Sequence, residues 1–105
     1  MTDSGPASRN MLMRRLQLVG QACQINAQLQ RLQQAQAGLD FEMQRCELAL
    51  EAGLDVAEAA AAVIQAERVA HEIRRDRMKL ELEMDSVEAE IKKIDGFFNG
   101  LAKDS

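Results

Sequence analysis

The chain has 105 residues, a one-domain length, with 47% hydrophobic and 29% charged residues and a net charge of −4. It lacks Trp and Tyr and has three Phe and one Pro, a composition of long helices rather than of a mixed compact fold. The acidic balance argues against a general phosphate-binding surface.

Residues 1–7 are polar, include Gly5 and Pro6, and are expected to form a disordered tail of a cytoplasmic protein. Without a long apolar run, this start reads as neither signal peptide nor membrane span. A helix is then expected over 8–51. It carries an apolar ladder in alternating steps of four and three: Leu18, Ala22, Ile25, Leu29, Leu32, Gln36, Leu39, Met43, Cys46 and Leu50. Such steps keep one stripe of side chains facing a partner helix. Gly20 and Gly38 fall inside this helix, each costing about 1 kcal/mol relative to Ala, and are expected to allow close helix approach or local bending. Cys23 and Cys46 would lie ~35 Å apart on one helix, too far to pair.

Ala-Gly-Leu-Asp occurs twice, at 37–40 and 52–55, so two turns compete. At the second copy Asp55 is followed by Glu58, a capping-box spacing, and Gly53 suits the left-handed residue that ends a helix. At the first copy the ladder passes through Gly38 without losing phase. The turn is therefore placed at 52–55, with a break at Gly38 as the alternative.

The second helix is expected over 56–95, with Asn99 and Gly100 ending the helical region and residues 100–105 frayed. Its ladder is Val56, Ala59, Val63, Ala66, Ala70, Ile73, Arg77, Leu80, Met84, Val87, Ile91, Ile94 and Phe98. Folding the two ladders together about a short turn pairs Leu50 with Ala59, Cys46 with Val63, Met43 with Ala66, Leu39 with Ala70 and Leu18 with Ile91. Large residues meet small ones near the turn, which fills a seam without voids. This register brings Arg14 near Glu90 and Asp40 within reach of Arg74. It also leaves flaws, with Gln36 on Ile73, Arg77 on Leu32 and Arg15 on Ile94. Either the arginine stems lie over the seam with their heads in water, or these positions fix the register or accept a carboxylate from a partner. The fold class is thus all-α, a long antiparallel two-helix coiled-coil hairpin.

A solitary hairpin should be polar outside its seam, and this one is not. Phe41, Leu48, Ala57, Ala61 and Ile64 lie off the seam near the turn, flanked by Ala49, Ala60, Ala62 and Val69. Leu12, Leu16 and Val19, together with Met13, widen the apolar face at the open end, with Phe97 and Phe98 opposite. Larger exposed apolar patches mark contacts. The hairpin is expected to dimerise into a four-helix bundle or to dock on another helical protein. Met78 and Leu82 read as scattered surface residues.

No enzyme chemistry, cofactor, small-molecule substrate or metal site is expected. His71-Glu72-Ile73-Arg74-Arg75 has Arg where a zinc-protease helix needs its second His, and His71 is the only histidine. The basic stretch Arg68, Arg74, Arg75, Arg77 and Lys79 is interrupted by Glu67, Glu72 and Asp76 and has no aromatic, which argues against nucleic acid. The expected function is a non-enzymatic adaptor, assembly subunit or chaperone.

On heptads and on Gln, Ala and Arg richness over most of the chain, the hairpin resembles the stalk and chaperone proteins of bacterial type III secretion and flagellar export. That resemblance implies contact with an export ATPase or escort of subunits, although this chain is shorter than typical stalks. With Glu51, Asp55 and Glu58 at its tip, the hairpin is also similar to transcription factors that insert an acidic coiled-coil tip into the RNA polymerase secondary channel. No globular domain or zinc finger like theirs is expected within these 105 residues.

Overall fold

The computed structural model describes residues 5–104. Two long helices pack against each other as a helical hairpin, α1 over Gly5–Glu51 and α2 over Val56–Asp104, and the described residues contain no strand. None of these helices is long and apolar enough to cross a membrane.

Both helices outrun the sequence expectation. α1 starts at Gly5, three residues before the expected Ser8. Pro6 causes no break because first-turn amides have no partner inside a helix. Residues 1–4 of the expected tail lie outside the described residues. α2 continues past Asp95 and through Asn99 and Gly100 to Asp104. Gly53 is the one described glycine with a positive φ, so Gly100 lacks the left-handed conformation that closes a helix. Phe98 is half-buried and Leu101, on the next rung, is 38% exposed, so the apolar stripe extends past the expected end. Ser105 lies outside the described residues.

The chain forms two compact units, one near the turn (28–79) and one at the open end (1–27 with 80–105). In the turn unit, Ala59, Ala66, Ala70 and Ile73 of α2 are buried. Leu29, Leu32, Gln36, Leu39, Met43, Cys46 and Leu50 of α1 are half-buried. The larger side chains of one helix thus cover small ones of the other, the complementarity the ladders call for. Two predicted rungs of α2 are exposed: Val56 is 50% exposed, and Arg77 is also exposed. Val56 opens the helix, and a long arginine reaches water from a seam position.

The turn is a Schellman closure. Gly53 has φ +72°, its N–H donates to the Leu50 carbonyl at 3.1 Å, and the Leu54 N–H donates to the Ala49 carbonyl at 2.9 Å. Asp55 follows with φ +43° and accepts the Ala59 N–H on its carbonyl at 2.8 Å. Side-chain N-caps start from extended backbone, and Asp55 is left-handed instead. The bonds that join the helices at this junction are therefore backbone ones. α1 runs unbroken through Gly20 and Gly38.

In the open-end unit, Leu18, Ile25, Val87 and Ile94 are buried, and Leu18 is only 1% exposed. Ala22, Leu80, Met84, Ile91 and Phe98 are half-buried. The α1 seam continues below Leu18 through half-buried Arg15, Met11 and Ser8. The Ser8 hydroxyl is buried there with no hydrogen-bond partner among the described residues.

Candidate protein-docking surfaces

Helical phase decides which off-seam residues share a face. In the turn unit Phe41 stands two residues from both Leu39 and Met43, and Leu48 two residues from both Cys46 and Leu50. Two residues are about 200° of helix, so both side chains point straight away from the seam. They are 65% and 60% exposed. By the same rule Ala61, between Ala59 and Val63, points away from the seam on α2. Ala57 and Ile64, one heptad apart, stand beside it, and all three are exposed. The back of α1 and the back of α2 face opposite ways in an antiparallel pair. The five expected contact residues therefore make two ridges, a bulky one on α1 and a small one on α2.

The start of α2 is apolar on nearly every side. Between Val56 and Ala66 only Glu58 and Gln65 are polar, and these are one heptad apart on a single strip. A helix apolar all round is normally covered all round. Ala60, Ala49 and Val69 are half-buried while Ala62 is exposed. Leu54, absent from the expected set, is 62% exposed beside the turn. Its place in a turn motif, outside either ladder, hides it from a periodicity search.

At the open end the expected residues also divide. Arg14 Nε donates to Glu90 Oε2 at 2.7 Å and its Nη2 to Oε1 at 3.1 Å. This pair marks one flank of the seam, the residues that precede Arg15 on α1 and Ile91 on α2. Phe97, one heptad after Glu90, lies on that flank. Leu12 and Val19 follow the seam residues Met11 and Leu18 and lie on the other flank, with Leu16 further round. Leu12, Met13 and Leu16 are 51%, 58% and 69% exposed and Val19 is 37% exposed. Phe98 is half-buried on the seam and meets Phe97 edge to face, with ring centroids 5.3 Å apart and planes at 82°. On the Arg14 flank a groove of about 280 Å³ lies over Leu18, Ile25 and Val87, rimmed by Gln21, Glu83 and Ser86.

The charged flaws resolve in a way only partly foreseen. Arg14 meets Glu90 as expected. Arg15, expected over Ile94, instead donates to Asp95 at 2.7 Å. These hydrogen bonds, reinforced by charge, hold Glu90 and Asp95 below their ordinary pKa and Arg14 and Arg15 above theirs. Asp40 does not bond to Arg74 as expected but accepts a hydrogen bond from Gln36 Nε2 at 2.9 Å. Gln36 thereby satisfies its polar end one turn further along the same helix, which explains how it stands in an apolar ladder.

Cys23 is an exposed free thiol and Cys46 a half-buried one. A Cβ added at Gly20 or Gly38 would meet no heavy atom within 4 Å, so neither glycine serves a close approach within this chain. Among the described residues no three His, Cys, Asp or Glu side chains come together to hold a metal ion.

Comparison with protein-family models, with curated proteins and with solved structures finds no match.

Proposed function

We propose that this chain is a non-enzymatic helical interaction protein, an adaptor, assembly subunit or chaperone whose turn unit docks on another helical protein. The observation that carries this reading is the start of α2, where Ala57, Ala61 and Ile64 stay exposed on a helix apolar on almost every side. Small residues let a second backbone approach closely, and Phe41 and Leu48 on the opposite back supply bulky anchors. Two ridges facing opposite ways suit insertion between partner helices better than a single flat contact. A reducing, cytoplasmic setting suits the exposed Cys23 thiol.

Affinity purification from the source cells tests the proposal, using wild type, Phe41→Glu, Ile64→Glu and, as control, Met78→Glu. The reading requires a stoichiometric protein partner kept by wild type and the control and lost with either ridge variant, at unchanged helicity. Equal recovery with all four chains would remove it.

A further inference from the structure

We infer that the open-end unit is a self-association site, in which an outer ladder of α1 packs antiparallel on the same ladder of a second copy. Leu12, Leu16, Val19 and Cys23 follow one another in steps of four, three and four, the spacing of a coiled-coil stripe. All four are exposed and lie off the seam that α2 covers. The stripe has charged Arg9 before it and neutral Asn26 after it.

The ladder complements itself on reversal. Turned end to end, Leu16 meets Val19 of the second copy, Leu12 meets Cys23, and Arg9 meets Asn26, each contact made twice about a two-fold axis. Such an isologous arrangement closes at two chains. Charge favours the same occupant. From Leu16 to Ala27 α1 carries no charged residue, so the crossing of two identical helices sets no like charges against each other. Arg14 and Arg15, bonded to Glu90 and Asp95 of α2, lie off this stripe and do not face the second copy. Gly20 is the next residue on this face, with open space where its Cβ would be. Nothing in the chain uses that space, and a second backbone can.

Sedimentation of the full chain across a wide concentration range tests this. Wild type is expected at twice 11.7 kDa, falling to the monomer on dilution. Leu16→Glu is expected as a monomer throughout, with wild-type helicity, and Leu82→Glu as a dimer. A wild-type monomer at every concentration, or a dimer that survives Leu16→Glu, overturns the proposal. Orientation is read separately by oxidation. Antiparallel crossing holds the two Cys23 about 16 Å apart along the helices, so wild type stays unlinked. Leu12→Cys, set against Cys23 of the other copy, is expected to give a covalent dimer. Ready linkage of wild type through Cys23, or none with Leu12→Cys, rules out the antiparallel ladder.

Discussion

Arg15 stands on the seam of α1 and yet is bonded, its Nε 2.7 Å from Asp95 Oδ1 and its Nη2 3.4 Å from Oδ2. Asp95 sits one residue past buried Ile94, so the pair closes over the edge of the apolar contact. Together with Arg14 and Glu90 it ties α1 to α2 along the edge of the seam in the open-end unit.

That relationship gives a pH dependence. Glu90 and Asp95 have folded-state pKa values below their ordinary ones. Their stabilisation is fully present above the unfolded carboxylate pKa and is lost as pH falls through the folded values. The thermal midpoint of wild type should therefore drop on acidification. The double variant Glu90→Gln, Asp95→Asn should start lower at neutral pH and lose less. Melting curves at stepped pH read this, and parallel curves for the two proteins would exclude the pairs as a source.

Burial separates residues that composition treats alike. Leu18 is 1% exposed and Leu82 is 65% exposed, both leucines of the open-end unit. Leu18→Ala should destabilise by about 2–5 kcal/mol, the range for emptying a packed site. Leu82→Ala should stay within about 0.5 kcal/mol of wild type. Urea denaturation followed by circular dichroism measures both, and equal losses would mean the seam is not the core.

The seam was legible because alternating three- and four-residue steps have one geometric meaning. Every α1 rung from Leu18 to Leu50 is buried or half-buried. The turn was legible because Gly53 combines a residue able to hold φ +72° with the loss of ladder phase. Below Leu18 the sequence Met11-Leu12-Met13-Arg14-Arg15-Leu16 offers apolar side chains on several faces; the register set Arg15 on Ile94, and half-burial shows that Met11 lies on the seam with it. Helix ends were missed because Pro6 and Gly100 act as stops only in particular conformations. Most exposed apolar residues off the seam were identified, Leu54 excepted, but their division into opposite ridges follows from the hairpin geometry. Periodicity within one helix says nothing of where the other helix's back points.

The cysteines should report the burial gradient chemically. Cys23 is exposed and Cys46 half-buried on a seam rung. Both thiols react through the thiolate, so access decides between them. A thiol reagent added to the native chain should label Cys23 first, and Cys46 should catch up only in denaturant. Single variants Cys23→Ala and Cys46→Ala assign the two phases, and equal native rates would contradict the placement of Cys46.

The glycines supply the last prediction, because two of the same residue type should respond with opposite sign. Gly38 sits inside α1 with open space at its Cβ position. Gly38→Ala should raise stability by about 1 kcal/mol, since Ala orders the helix at lower entropic cost and meets no neighbour. Gly53 also has open space, but its φ of +72° belongs to the left-handed region, where a Cβ crowds the following carbonyl. Gly53→Ala should lower stability by about 1–2 kcal/mol. Gly53→Asn should recover part of that loss, because Asn tolerates the left-handed region. Thermal melts of the three variants decide it. A stabilising Gly53→Ala would mean that the Schellman closure between Ala49 and Leu54 is not what ends α1.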